Sequence, residues 1–379
     1  MSPGQSTLLD ALRAFAAHCV LLGHILSLSI FPELRTGLGD LGVVIFFVLS
    51  GFLIASTSTA KADRSRYLFQ DYLLDRAFRI FAPYLPALIA VFILDGLTLR
   101  FSTVQTYAEY FTLKDFTASL LMLQQFPPGI ILDEWFGLNA AKLSTFGSAR
   151  PFWTVANEWW LYVCFGMIFF SIVSKHRKTG FVFLLAAAIV PVFNFVAGTG
   201  DGLSLLWVVM ALMGVFYARR PGKTGANMPD IKVPDSKLNI ILTMALICTL
   251  LLAVVRFLWI SYLHPSLAPG TPVVYDFNLY VLIAFAMSLM FFLVRQIENP
   301  LGHKSIRFLA GYSYSLYLIH YSIIYFCDAL ELGPKGKATR LLFLYLLCNV
   351  AAVLLWALFE RHHRRLRYWV SGRPDRQGS

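Results

Sequence analysis

Residues 14–31 read AFAAHCVLLGHILSLSIF, an apolar run that follows Arg13 directly and carries His24 past its midpoint. Eighteen such residues are about enough to cross a hydrocarbon layer of ~30 Å as a helix. Arg13 and His24 stand eleven positions apart. Eleven steps of 100° leave two side chains only about 20° apart around a helix, with a rise of roughly 16 Å between them. Arg13 then marks the membrane edge, and His24 lies near mid-bilayer on the same stripe. Ionisable groups at that depth are costly, and they point to function.

The rest of the chain agrees with a membrane reading. Of 379 residues 58% are hydrophobic and 14% are charged, with mean hydropathy +0.65. Soluble domains carry about 25% charged residues, so this composition describes an all-α polytopic membrane protein. Apolar runs at 14–31, 42–59, 80–97, 153–173, 181–197, 203–218, 238–262, 277–294, 308–328 and 340–359 predict about ten transmembrane helices. With the first residue inside, the alternate segments 1–13, 60–79, 174–180, 219–237, 295–307 and 360 onward hold 23 of the 32 Lys and Arg. By the positive-inside rule both termini are expected in the cytoplasm. The first apolar run lacks a small-residue cleavage site and contains His18 and His24, so it is expected to be a retained helix and not a signal peptide.

One transmembrane domain over 1–360 and a basic cytoplasmic tail over 361–379 follow from this pattern. The tail, Glu360-Arg-His-His-Arg-Arg-Leu-Arg-Tyr-Trp369, pairs basic residues with aromatic anchors and suits an interface beside anionic lipid. The stretch Phe116–Phe126 is too short to span and ends at Pro127-Pro128-Gly129, so 98–152 is expected to lie at the interface or to re-enter. The cysteines Cys19, Cys164, Cys248, Cys327 and Cys348 all fall in apolar runs and read as buried hydrophobes. No metal-ligand spacing, P-loop or dinucleotide fingerprint is present. The net charge of +11 is accounted for by topology, and no nucleic-acid reading module accompanies it.

Four constellations could carry chemistry. His24 is either a polar residue hydrogen-bonded to a neighbouring helix or a general base in a water-poor cavity; a neutral imidazole of pKa about 6.5 can take a hydroxyl proton. Arg13 has Asp10 one turn earlier, so a structural ion pair is open to it. Arg76 and Arg79, three apart, set two guanidinium forks on one helix face, suited to phosphate or pyrophosphate, or else simply contribute positive-inside charge. Trp153, Glu158, Trp159, Trp160 and Tyr162 open the span 153–173. The four-residue spacing of Glu158 and Tyr162 puts them on one face, and the aromatic residues fit either a sugar-binding surface or an interfacial belt. Ser313, Tyr317 and His320 form a polar stripe on one later helix, which also fits a satisfied core network.

Together these residues resemble the acyltransferase 3 family of bacterial membrane acyltransferases. The opening Leu9-Asp10-Ala-Leu-Arg13-Ala-Phe-Ala-Ala-x5-Gly-His24 is similar to the family's first-helix pattern, a basic residue, ten residues, then histidine. The run Gly42-Val-Val-Ile-Phe-Phe-Val-Leu-Ser-Gly-Phe-Leu-Ile54 resembles its second helix, and Arg76-x-x-Arg79 its paired arginines. Trp153-Thr-Val-Ala-Asn-Glu158 resembles a Trp-Ser-Leu-x-x-Glu signature, and Tyr314-Ser-Leu-Tyr317-Leu-Ile-His320 a late helix. The five occur in the family's order. Two positions depart from it: Val44 and Trp159 stand where many members have an acidic residue.

The resemblance implies a stand-alone member, without a fused periplasmic hydrolase-like domain, in the bacterial inner membrane. It implies transfer of an acyl group, often acetyl, from cytoplasmic acyl-CoA to a hydroxyl of a cell-surface glycan or glycolipid, with no metal. On this reading Arg76, Arg79 and Arg13 hold the donor, acetyl-CoA in the simplest case. His24 is the general base, with Glu158 and Arg13 also in the catalytic set. Trp153, Glu158, Tyr317 and His320 hold the acceptor. The competing reading is a transporter of glycans or lipid-linked sugars, which would not bind coenzyme A.

Overall fold

The computed structural model describes residues 1–33, 37–64, 67–124, 136–137, 143–173, 202–219, 235–258, 277–294, 297–298, 300 and 302–371. Among them every regular element is helical. The longer helices are α1 (Pro3–His24), α2 (Leu38–Arg64), α3 (Phe69–Phe101), α4 (Leu113–Leu120), α5 (Phe152–Val173), α6 (Leu203–Ala218), α7 (Asp235–Leu258), α8 (Phe277–Leu293), α9 (His303–Ala329), α10 (Lys337–Leu358) and α11 (His363–Ser371).

Four described stretches are long and apolar enough to cross a bilayer: Pro3–Ile30, Leu38–Ala62, Phe69–Phe101 and Lys337–Val370. Shorter apolar helices run over Leu203–Ala218, Thr243–Arg256 and Leu279–Leu293. The chain is a multi-pass membrane protein. Nine of the expected apolar runs fall on described helices, although α1 and α3 begin eleven residues before the runs they contain, and the tenth, 181–197, lies outside the described residues. Large apolar side chains stay exposed along the spans, for example Ile89, Phe92 and Ile93 on α3. Such a face suits lipid and not water.

The chain divides into two compact units, Met1–Ala16, Arg35–Arg66 and Gly200–Ala310 in one, and Ala17–Leu34, Tyr67–Thr199 and Gly311–Ser379 in the other. In the first, α2 packs on α6. A Cβ on Gly51 would lie 2.4 Å from the Trp207 carbonyl oxygen, and one on Gly214 would lie 2.5 Å from that of Phe52. Two glycines thus let the backbones touch, which is how apolar helices associate in lipid, where no hydrophobic gradient drives them together. The indole of Trp207 donates to Ser50 Oγ at 2.8 Å across the same contact.

In the second unit α3 packs on α5 and on α11. Helix α4 has eight residues, about 12 Å of rise, and is too short to cross. The irregular segment that follows it is buried at residues 145–149. Backbone without helical partners survives at such depth only where protein groups satisfy it. Here three of them are side chains, and the Tyr110 carbonyl accepts from Gly147 N at 3.0 Å. Asp115 Oδ1 accepts from Ser144 N at 3.1 Å, Ser119 Oγ from Phe146 N at 3.0 Å, and Asp95 Oδ2 from Ser148 N at 2.7 Å. Gly147 has φ +49°, and a Cβ there would sit 2.0 Å from Asp95 Oδ2.

Two expectations are refined. Cys19, Cys164, Cys327 and Cys348 are buried, but Cys248 is exposed on α7. It lies on a helix with exposed Met244, Ile247 and Leu251, and a thiol is apolar enough for that surroundings. The basic tail also does more than face outward. In α11 Arg367 reaches Asp75 and, at 3.8 Å, Asp71 on α3, while Trp369 and Val370 remain exposed as apolar anchors.

Candidate active site

Helix α1 runs unbroken from Pro3 to His24, so Arg13 and His24 lie on one continuous helix as their spacing predicts. Arg13 Nη1 pairs with Asp10 Oδ1 at 3.0 Å. His24 is the last α-helical residue. A π-helical turn, Ile25–Ile30, follows, in which Phe31 N reaches back to the Leu26 carbonyl at 2.7 Å. Wider turns of this kind often occur at functional sites. Ser29 at its end donates to Asp328 at 2.7 Å and accepts from Arg340 Nε at 2.7 Å, which fixes the turn against α9 and α10.

Against His24 stand two residues of α9. The ring of His320 stacks on it, centroids 5.3 Å apart and planes 27° from parallel, and Tyr321 meets it edge-on at 5.1 Å. His320 is fully buried. Its Nδ1 lies 3.0 Å from the Leu316 carbonyl, one turn back. A carbonyl oxygen only accepts, so Nδ1 carries the hydrogen and Nε2 keeps a lone pair. That Nε2 is buried with no hydrogen-bond partner among the described residues.

Tyr317, one turn before Tyr321, has its hydroxyl 2.5 Å from Thr154 Oγ1 on α5. Thr154 itself donates to the Pro151 carbonyl at 2.9 Å, so the tyrosine is the donor in that pair. Trp153 is the neighbouring residue on α5 and is half-buried. One turn further, Tyr162 donates to Glu158, as their four-residue spacing predicts. Trp159 turns its ring to Phe81 on α3, centroids 5.2 Å apart, so it serves helix packing.

The paired arginines meet a residue that the sequence reading treats only as the start of the tail. Glu360 is fully buried, with Oε1 2.9 Å from Arg79 Nη1 and Oε2 accepting from Ser315 Oγ at 2.6 Å and Ser315 N at 3.2 Å. Arg79 is still about one-third exposed. Arg76 packs its guanidinium over the Tyr72 ring at 5.8 Å, and its buried Nε has no hydrogen-bond partner among the described residues. Just before α3, Tyr67 donates to Asp75 Oδ2 at 2.7 Å; burial and that carboxylate push the phenol's pKa up.

Within the second unit, then, α9 carries a polar file that the other helices answer. Ser315 faces Glu360, Tyr317 faces Thr154, His320 faces His24, and Ser322 faces Ser148, their hydroxyl oxygens 2.8 Å apart. The buried Tyr314 hydroxyl has no hydrogen-bond partner among the described residues and lies within electrostatic reach of Glu158 and Glu360. Helical spacing does not single out Glu360, Asp95 or Tyr314, although an acid inside an apolar run, as Asp95 is, points to a role. Among the described residues no group of three or more His, Cys, Asp or Glu is placed to hold a metal ion.

No solved structure matches the chain. Among curated proteins, an O-acetyl transferase of Shigella phage Sf6 is 25% identical over 209 residues, 54% of this chain and 57% of that protein. The chain therefore spans a little over half the length of this relative. The family model described as an acyltransferase domain matches residues 7–361, nearly all of the chain. On that match the chain belongs to the acyltransferase 3 family, whose members transfer acyl groups other than aminoacyl groups.

Proposed function

We propose that this protein is an integral membrane O-acyltransferase that moves an acyl group, acetyl first among candidates, from acyl-CoA to a hydroxyl of a surface glycan or glycolipid. The observation that carries the reading is the stacked pair of His24, half-buried on a stretch long and apolar enough for a membrane, and His320, fully buried on α9. Neutral imidazoles in a water-poor cavity can remove a hydroxyl proton and return it to a departing thiolate. The family match and the relative named an O-acetyl transferase support acyl transfer over transport.

Arg76 and Arg79 hold the donor's phosphates. Arg76 has an unpartnered Nε, and Arg79 keeps one-third of its surface open beside Glu360. Arg13 is assigned with them from the family's first-helix pattern. The general base is His24, the role that pattern gives it, with the ring of His320 stacked on it. Trp153 and Glu158 hold the acceptor by stacking and hydrogen bonding, and Tyr317 supports them through Thr154. The site works in a bacterial inner membrane, with the donor reaching it from the cytoplasm.

The test uses membranes of the native host. Labelled acetyl-CoA added to membranes that contain the protein should label a glycan, and membranes of a deletion strain should not. Mass spectrometry of surface glycans from the two strains should show a missing acyl mass. Unchanged glycans together with no labelling from acetyl-, succinyl- or longer acyl-CoA would sink the proposal.

A further inference from the structure

Helix α11 runs back along α3, and their charges meet as a ladder. At one end Glu360, just before α11, pairs with Arg79, and at the other Arg367 pairs with Asp75 and, at 3.8 Å, with Asp71. The rung between them does not match. His363 opens α11 with its Nδ1 2.7 Å from the Glu360 carbonyl, and it lies within electrostatic reach of Arg79, Arg364 and Arg76. Three guanidinium groups thus gather about one imidazole. Arg79 is balanced by Glu360, which is fully buried and shared with Ser315. Neither Arg76 nor Arg364 forms an ion pair with an acid among the described residues. Like charges held close together repel, and an anion from outside removes that penalty. The rung is open to one, since Arg364 is exposed and Arg76 and His363 are half-buried.

We propose that Arg364 is a third guanidinium of the donor site, binding the phosphates of acyl-CoA together with Arg76 and Arg79. This rests on the acyl-transfer reading above, in which the two arginines of α3 hold the donor. Coenzyme A carries a pyrophosphate and a further phosphate on its ribose. That is more negative charge than Arg76 and an Arg79 committed to Glu360 can balance. Arg364 supplies the missing fork. Arg367, three residues on and on the same face of α11, holds the helix to α3 and so positions Arg364. The exposed apolar anchors Trp369 and Val370 lie at the far end of α11, so the lipid contact and the phosphate contact occupy different turns of one short helix.

Two neighbouring arginines provide the test. Arg364→Ala and, as its control, Arg365→Ala are compared with wild type for transfer from labelled acetyl-CoA in native-host membranes at equal protein level. Arg364→Ala should raise the donor KM about tenfold and leave kcat within about twofold, whereas Arg365→Ala should change neither. Coenzyme A binding to purified protein in vesicles of phosphatidylcholine alone should weaken by the same factor in Arg364→Ala. A donor KM within about twofold of wild type in folded Arg364→Ala would overturn the assignment. A matching rise in Arg365→Ala would reduce the effect to surface charge and overturn it too. Undiminished coenzyme A binding by Arg364→Ala in phosphatidylcholine vesicles would give the residue to an anionic lipid headgroup, again against the proposal. If Arg364→Ala fails to fold, phenylglyoxal modification of wild type decides: coenzyme A must shield Arg364 more than Arg365, and equal modification of the two overturns the proposal. Wild type that binds no coenzyme A and transfers no acyl group sinks the acyl-transfer reading itself; wild type that binds it with Arg364 unshielded sinks only this one.

Discussion

Arg79 Nη1 lies 2.9 Å from Oε1 of Glu360, a carboxylate with no solvent exposure that also accepts two hydrogen bonds from Ser315. One acid thus joins α3, α9 and the entry to the C-terminal helix. Arg79 has two duties, one inside the protein and one, on the proposed function, toward the donor.

The two arginines should therefore fail differently. Arg79→Ala leaves a buried carboxylate uncompensated and should destabilise the protein by ~2–3 kcal/mol, less than for a fully enclosed pair because Arg79 is partly exposed. Adding Glu360→Gln should restore much of that loss. Arg76→Ala, which removes a guanidinium whose Nε has no partner, should change stability little and raise the KM for acetyl-CoA about tenfold. Thermal unfolding and donor titration on the three variants check this.

His24→Ala removes one of two stacked rings without unpairing a described hydrogen bond. Transfer from acetyl-CoA to the membrane acceptor should drop about 100-fold or more, with donor binding intact. Equal turnover in the variant and the wild type would exclude His24 from the site.

The loop behind α4 should be as sensitive as a core. Asp95→Ala leaves the Ser148 N–H and hydroxyl without their acceptor and should cost ~2–4 kcal/mol. Gly147→Ala should be at least as damaging, because it combines a positive φ with a Cβ 2.0 Å from Asp95 Oδ2. Ser148→Ala, which keeps the backbone donor, should be milder. Unfolding curves in one detergent rank the three.

In the other unit the α2–α6 contact depends on bare backbone. Gly51→Leu and Gly214→Leu should each separate the helices and lower folded yield, whereas Leu at exposed Val209 on the same α6 should be tolerated. Fluorescence-detected size exclusion of tagged protein distinguishes the two outcomes.

By itself the sequence determined what repeats locally. Apolar runs of helical length fixed the class and nearly all the helices, because every backbone polar group in lipid must be paired within its own segment. The one-turn spacing of Glu158 and Tyr162, and of Asp10 and Arg13, fixed their contacts, because neighbours three or four apart share a face. Motif order from Arg13–His24 to Tyr317–His320 carried the family. Tertiary structure alone decided which polar groups meet. His24 and His320 are 296 positions apart, and Arg79 and Glu360 are 281 apart. Helical periodicity says which way a side chain points but not which helix it faces. The stacked histidines and the buried Glu360 arise from packing between helices, where a polar group finds its partner across a contact.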